Sequence, residues 1–186
     1  MMNIEPIKLT EKTRRVGFRN IISKTYKLSN GVEKTYDIED EGDTAILFAL
    51  TSDKKVIVAK QFRPGPEKIL FELIAGFIEK KESPIDAIKR ELLEETGYTG
   101  EIFYAGESFH SAYSNMVRHH FVGFNCVKTS QPRPEDDEII EVKLLTIKEF
   151  KKHLTQGDLS DSETVYRALA YFKDNKIYED IFLELN

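Results

Sequence analysis

The chain has 186 residues, which fits one domain, or one domain with a small appendage. Hydrophobic residues make up 40% of it and aromatic residues 11%, which is enough to bury a core and excludes a disordered chain. With 27 basic and 32 acidic residues the net charge is −5, so broad electrostatic capture of nucleic acid is disfavoured, and a polyanionic substrate would need local arginines or a bound cation.

The first 42 residues predict a small antiparallel β appendage. Two β-rich arms within residues 18–38 flank Asn30-Gly31, and Asn-Gly favours a hairpin because both residues tolerate positive φ. The acidic stretch 39–43 then reads as a connector. We therefore predict two parts, an appendage at 1–42 and a main domain at 43–186.

The main domain predicts short strands around a few helices. Thr146 and Glu149 form a capping box for one helix, and Gly157 ends it. Because strands and helices do not alternate strictly, we predict a mixed α/β sandwich. Strands are predicted at Ala45–Leu50, Val56–Lys60 and Ile69–Ile74 and near 101–106, 118–127 and 139–145, and helices at 84–96, 147–156 and 161–173.

Cysteine content and hydropathy indicate a cytoplasmic protein. The single cysteine, Cys126, allows no intrachain disulfide, as expected in a reducing compartment, and its apolar surroundings predict a core position. No apolar run approaches the ~18 residues of a membrane span. We therefore expect neither a membrane nor nucleic acid as a partner.

Three glutamates on the helix at 84–96 break local stability rules. At ~100° per residue, Glu91, Glu94 and Glu95 lie beside the apolar stripe that contains Ile88 and Leu92. They form like-charge pairs at i,i+3 and i,i+4, and two of them lie in the last turn, where the helix dipole disfavours anions. Hard oxygen ligands at this spacing suit Mg²⁺, or alternatively Mn²⁺, whose charge would offset the repulsion. The alternative is a solvated acidic face.

The segment from Gly76 to Tyr98 resembles the full signature of the Nudix hydrolases. The pattern is Gly76, five residues, Glu82, seven residues, Arg90-Glu91-Leu92, one residue, Glu94-Glu95, one residue, Gly97-Tyr98. Gln61-Phe62-Arg63 and the run Glu72–Gly76 are similar to the ADP-ribose pyrophosphatase branch of that family. The resemblance implies a Nudix fold with a mixed sheet between helices, and homodimers that exchange N-terminal sheets. It also implies Mg²⁺-dependent hydrolysis of the diphosphate linkage of a nucleoside-diphosphate sugar, such as ADP-ribose or a related ADP- or GDP-sugar.

The same resemblance implies a role for each matching residue. Metal ligands would be Glu91, Glu94, Glu95, the Ala75 carbonyl and, by register, Glu138 in the acidic loop 135–138. The catalytic set would be Glu94, Asp136 as general base, and Arg90, which orients the carboxylates. Gly76, Glu82 and Gly97 would be structural. Arg63 would contact a substrate phosphate, because a planar guanidinium suits phosphate. A surface arginine and a solvated acidic loop remain open alternatives for Arg63 and for 135–138.

One segment departs from the family pattern. Residues 109–116 lack the expected Pro and Gly, and Met116 stands near an expected acidic position, which leaves the sugar of the substrate undetermined. His119 and His120 are adjacent and would point to opposite faces of a strand, so a zinc site is disfavoured. Two alternatives to the nucleotide-sugar hydrolase remain. One is a Nudix hydrolase of nucleoside triphosphates or dinucleotides, and the other is a non-catalytic nucleotide-binding module.

Overall fold

A computed structural model of the chain describes residues 4–134, 139–157 and 161–185. Ten strands and four helices are assigned within these ranges, and they are numbered in chain order. The strands are β1 (Ile7–Val16), β2 (Arg19–Lys27), β3 (Glu33–Asp40), β4 (Thr44–Thr51), β5 (Val56–Arg63), β6 (Lys68–Glu72), β7 (Ile74–Phe77), β8 (Tyr98–Phe109), β9 (Val117–Lys128) and β10 (Glu141–Leu145). The helices are α1 (Pro84–Thr96), α2 (Ile147–Gln156), α3 (Ser162–Asn175) and α4 (Glu179–Leu185).

The N-terminal part of the chain is a three-stranded antiparallel sheet in the order β1-β2-β3. The hairpin predicted around Asn30-Gly31 is confirmed, since Gly31 has φ 83° and Leu28 N donates to Val32 O at 2.8 Å. Residues up to Asp43 form one compact unit together with 108–118. Within this unit Glu39 exchanges backbone hydrogen bonds with the 108–118 segment.

Strand β1 was not predicted, and it pairs with β2 along nearly its whole length. All ten of its residues are exposed, and those from Thr10 to Arg15 are all polar, so the alternation of apolar and polar residues at the start of the chain does not extend along the strand. The start of the acidic connector, predicted at residue 39, was placed too early, because β3 continues to Asp40. Arg19 forms ion pairs with Glu39 (3.2 Å) and Glu41 (3.0 Å), which offset the charge of this acidic end.

The second unit, residues 44–107 and 119–186, is organised around a seven-stranded sheet. Its main path runs β10-β5-β4-β9-β8, while β6 pairs with β5 and β7 pairs with β4. Strand β4 divides the core because its residues alternate between the two faces. Ala45, Leu47 and Ala49 pack in the cluster that contains α1, and Ile46, Phe48 and Leu50 pack in the cluster that contains α2, α3 and α4. The predicted mixed sheet between helices is therefore confirmed.

The strand predicted at Ile69–Ile74 is two strands, β6 and β7, that separate at Leu73. Strands β4 and β5 form a hairpin but pair only at Ala49↔Ile57 and Leu50↔Val56. Beyond these pairs, β5 pairs with β6 and β4 pairs with β7. The apolar run continues across the change of partner, so the sequence gives no sign that the strand ends there.

Helix α1 begins and ends at the predicted residues. The Ser83 hydroxyl accepts a hydrogen bond from Asp86 N, and Pro84 occupies the first helical position. Gly97 has φ 76°, and its N–H donates to Leu93 O at 2.8 Å. Helix α2 has the predicted capping box at Thr146 and a left-handed cap at Gly157.

Helix α4 was not predicted, although its Ile181 and Leu185 are buried. Seven residues give only two such positions, too few for the periodic pattern that identified α1 to α3. Cys126 is 2% exposed, which confirms its core position, and burial raises the pKa of its thiol to about 11. Within the described ranges no helix is both long and apolar enough to cross a membrane.

The two glycine caps provide a matched test of crowding at the end of α1. A Cβ at Gly97 would lie 2.2 Å from the Ser130 carbonyl oxygen, whereas at Gly157 no described atom lies within 4 Å. Both residues have positive φ, so Gly157→Ala should lower the free energy of unfolding by about 1 kcal/mol through backbone strain alone. We expect Gly97→Ala to cost at least twice as much, measured by urea denaturation. Equal losses would contradict a crowded α1 terminus.

Candidate functional site

The three α1 glutamates differ in exposure. Glu95 is 5% exposed, at the edge of the core formed by Ile88 and Leu92. The Glu91 side chain is 15% exposed and that of Glu94 is 48% exposed. The carboxylates therefore extend from the buried face of α1 toward solvent, so one end of the group is shielded and the other accessible.

Arg90 links the carboxylates around α1. Its guanidinium contacts both oxygens of Glu82, at 3.0 Å through Nε and 3.1 Å through Nη2. Nη1 donates to Glu91 (2.8 Å) and Glu94 (3.1 Å), and Nη2 also donates to the Phe77 carbonyl (3.2 Å). The hydrogen bonds from Arg90 lower the pKa of Glu82, and its carboxylate partners, Glu82 first, raise the pKa of Arg90.

The group around Arg90 is rich in carboxylates. One guanidinium faces Glu82, Glu91 and Glu94, and the nearby Glu95 adds a fourth carboxylate. This donor set is made of hard oxygens, which suit Mg²⁺ or Mn²⁺. Among the described residues, no three histidine, cysteine or acidic side chains are gathered around one point as a metal site requires. Arg90 contacts Glu91 and Glu94 instead.

Gly76 allows the close approach of α1 to β7. A Cβ at this position would lie 1.9 Å from Glu91 Oε1, so any other residue would displace the carboxylate. Gly76 pairs with Ala45, and the preceding Ala75 pairs with Ile46 in the same ladder. The Glu91 carboxylate is therefore held against the strand that contains the Ala75 carbonyl.

Arg63 lies at the end of β5 and contacts a buried acid that the sequence analysis did not single out. Arg63 Nε donates to Glu72 Oε2 at 2.7 Å, and Gln61 Nε2 donates to the same oxygen at 2.7 Å. Glu72 is 6% exposed. The available signal was an acidic residue inside the apolar run 69–74, a position where burial disfavours charge unless a partner is present.

The segment before the acidic loop is tied to the end of α1. Arg133 N donates to Glu94 O at 2.6 Å, and Thr129 N and Ser130 N donate to Gly97 O at 2.8 and 3.1 Å. Asp136 and Glu138, predicted as general base and metal ligand, lie outside the described residues. Arg133, which precedes that loop, is thus bonded to the helix that bears the glutamates.

The paired histidines have different surroundings. His120 is fully buried, and its Nδ1 lies 2.8 Å from the Thr164 hydroxyl on α3. His119 Nδ1 lies 3.7 Å from Glu107 Oε2. The two side chains therefore point away from each other, as the alternation of a strand predicts.

Comparisons with known proteins are consistent with this geometry. The family model described as "NUDIX domain" matches residues 41–168, more than two thirds of the chain. An ADP-ribose pyrophosphatase of Bacillus subtilis (strain 168) is 29% identical over 150 residues, covering 79% of this chain and 80% of that protein. A methanol dehydrogenase activator of Bacillus methanolicus is 29% identical over 142 residues, covering 75% and 77%. A crystal structure of an ADP compounds hydrolase has the same fold, with TM-score 0.78 and 18% identity over 92% of this chain and 96% of that one.

Arg90 should matter for stability because it neutralises several carboxylates at once. We expect Arg90→Met to lower the free energy of unfolding by about 1–3 kcal/mol, since it leaves Glu82, Glu91 and Glu94 facing one another. The matched control is Arg167→Met on α3, which removes an ion pair with one carboxylate, Glu163, and should cost within about 1 kcal/mol.

Denaturation in low salt and in about 1 M sodium chloride completes this test. High salt should bring the free energies of unfolding of the two variants closer together. The reason is that the stability lost in Arg90→Met comes largely from repulsion between carboxylates, which salt screens. A difference that salt leaves unchanged would mean that Arg90 stabilises the protein by packing and not by charge.

Proposed function

The chain belongs to the Nudix family, and we propose that it is a pyrophosphohydrolase that cleaves the diphosphate linkage of a nucleoside-diphosphate sugar, with ADP-ribose or a related ADP- or GDP-sugar as substrate. Water is consumed as one bond to the bridging oxygen breaks, and the products are a nucleoside monophosphate and a sugar phosphate. The observation that carries the proposal is the Glu91 carboxylate held over Gly76 by Arg90 on α1. It links the acidic helix to the strand that contains Ala75.

The divalent ion of this proposal is Mg²⁺, with Mn²⁺ as an alternative. Its ligands would be Glu91, Glu94, Glu95 and the Ala75 carbonyl, supported by the hard oxygen donors that these residues place on one part of α1 and β7. When bound, such an ion neutralises phosphate charge and lowers the pKa of a coordinated water. Arg90 orients Glu91 and Glu94, and Gly76 leaves room for Glu91.

Substrate phosphate would bind Arg63 on the same face of the sheet. The Arg63 side chain is 45% exposed, so its outer end can reach a ligand, and a guanidinium matches the geometry of phosphate oxygens. We also propose Asp136 as general base and Glu138 as a further metal ligand. The hydrogen bond from Arg133 to Glu94, just before that loop, supports this assignment.

The choice of substrate rests on relatives and on the run Gln61–Gly76. The ADP-ribose pyrophosphatase of Bacillus subtilis aligns with this chain over four fifths of its own length. The single buried cysteine supports a cytoplasmic location for the enzyme. ADP-ribose is therefore the first substrate to test.

Purified protein with Mg²⁺ should hydrolyse ADP-ribose to AMP and ribose phosphate. The assay measures both products. GDP-mannose, UDP-glucose, NADH, diadenosine polyphosphates and nucleoside triphosphates are tested in parallel as alternative substrates. Glu94→Gln and Glu95→Gln should each lower kcat by roughly 100-fold, because each removes a charged metal ligand. Chelation with EDTA should abolish turnover, and added Mg²⁺ or Mn²⁺ should restore it.

The matched control is Glu101→Gln, since Glu101 lies on β8 and contacts Asn125 at 2.8 Å. Its activity should equal that of the unmodified protein. Full activity in both Glu94→Gln and Glu95→Gln would refute the metal assignment. A preference for triphosphates would favour the triphosphate hydrolase, and binding without turnover of any diphosphate would indicate a non-catalytic module.

We further propose that residues 1–42 form a dimerisation element. Strand β1 is an edge strand exposed along its length, with Ile7 65% and Leu9 42% exposed, and such an edge invites pairing with another chain. The same unit also exposes Phe18 at 81%.

Light scattering during size exclusion should give twice the chain mass of 21.5 kDa. Ile7→Lys combined with Leu9→Lys should shift the protein toward the monomer, because it places charge on the exposed apolar edge. Lys8→Ala, a change between the two on the same strand, should leave the mass unchanged. A monomeric unmodified protein would refute the dimer.

A further inference from the structure

The Glu72 carboxylate is buried at the junction of β6 and β7 and accepts two side-chain hydrogen bonds at one oxygen. Oε2 lies 2.7 Å from Arg63 Nε and 2.7 Å from Gln61 Nε2. The exposed fraction of the side chain is 8% for Glu72 and 45% for Arg63. The ion pair thus has a shielded acidic end and an open basic end.

The register of the β5–β6 hairpin produces this contact. Ala59 pairs with Glu72, and Gln61 and Arg63 follow at two-residue steps, so all four side chains lie on one face of the hairpin. Ala59 packs in the cluster that contains α1 residues Ile88 and Leu92. The carboxylate, amide and guanidinium therefore lie on the same face of the sheet as α1.

The burial of Glu72 bears on its role, because a charged side chain is costly to place in the interior. Removing a carboxylate from water is costly unless it is paired and hydrogen-bonded, and an apolar side chain of similar size would fill the same space without that cost. A second donor, from Gln61, fixes the orientation of the carboxylate in addition to its pairing with Arg63. Such an arrangement suits a residue that must hold its partner in one orientation.

The contact uses one corner of the guanidinium. In the described part of the chain Arg63 binds Glu72 through Nε, which leaves the four N–H groups of Nη1 and Nη2 outside that hydrogen bond. These two nitrogens form the edge that a phosphate can accept in a bidentate manner. The Arg63 side chain is 45% exposed, so that edge is accessible to a ligand while the carboxylate holds Nε.

We propose that Glu72 is a positioning residue, which holds Arg63 by Nε so that Nη1 and Nη2 face a phosphate of the substrate. The inference rests on the proposed function of the same site and assigns a task to a residue that does not touch the substrate itself. Glu72 also lies three residues before Ala75, a span of roughly 10 Å in an extended chain. One short segment thus contains both Glu72, which holds Arg63, and the start of β7, the strand that lies against Glu91.

A double-mutant cycle on Glu72 and Arg63 tests this. Arg63→Ala should lower kcat/KM for ADP-ribose about 100-fold and Glu72→Gln about 10-fold, because the neutral amide binds Nε more weakly. The double variant should match Arg63→Ala within about twofold, because Glu72 acts only through the arginine. A tenfold loss from Glu72→Gln in both backgrounds would overturn the inference.

Two further measurements separate positioning from a merely structural role. Added guanidinium ion should partly restore activity to Arg63→Ala but not to the double variant, which lacks the carboxylate that orients it. Glu163→Gln is the matched control, since it breaks an Arg–Glu pair of 3.1 Å on α3 and should leave kcat/KM unchanged. Thermal unfolding of each variant identifies losses due to instability, and rescue that is independent of Glu72 would contradict its role.

Binding of ADP-ribose in EDTA, measured by calorimetry, tests the same cycle without turnover. If the unmodified protein binds ADP-ribose but does not hydrolyse any diphosphate, and the cycle is again non-additive, the proposed function fails and the role of Glu72 stands. If hydrolysis is present but the cycle is additive in both assays, the role of Glu72 fails and the proposed function stands. Absence of both binding and turnover in the unmodified protein would overturn both.

Discussion

The separation of β4 and β5 is the constraint on which the site depends. The two strands stay paired for only two residue pairs, and residues 68–77 then pair with both of them, with Leu73 at the change of partner. On one side of that change Glu72 meets the end of β5, and on the other Gly76 meets α1. A continuous β4–β5 hairpin would leave no strand between them to present either residue to the face covered by α1.

A helix with glutamates at 91, 94 and 95 is disfavoured in isolation, because each like-charge pair costs roughly 0.2–0.5 kcal/mol. The fold offsets this through Arg90, which reaches back to Glu82 in the loop before α1 and to the Phe77 carbonyl at the end of β7. The same guanidinium thus joins the helix, its preceding loop and the neighbouring strand. One guanidinium contacts three carboxylates here, those of Glu82, Glu91 and Glu94, and this gathering of acidic groups is why we propose a cation at the site.

The bounds of helix α1 could be predicted because its signals are local: Ser83 and Pro84 start it and Gly97 ends it. The same holds for the capping box of α2. The features that sequence reasoning missed depend on distant partners or lack a pattern. Strand β1 is exposed throughout, and the contact between Glu72 and Arg63 spans nine residues and exists only in one hairpin register. A shift of one residue would move Gln61 and Arg63 to the opposite face.

The site contains two arginines, Arg63 on β5 and Arg90 on α1, and their hydrogen bonds suit them to different tasks. Arg90 uses Nε, Nη1 and Nη2 on three carboxylates and a carbonyl, and its side chain is only 27% exposed. Arg63 is bound at Nε and is 45% exposed, so its outer edge is open to a ligand. If a substrate phosphate were to bind Arg90, it would have to displace a carboxylate and leave it unpaired beside another anion, which is unfavourable. This is why we propose Arg63, and not Arg90, for the phosphate contact, while the hydrogen bonds of Arg90 hold the acidic side chains of α1.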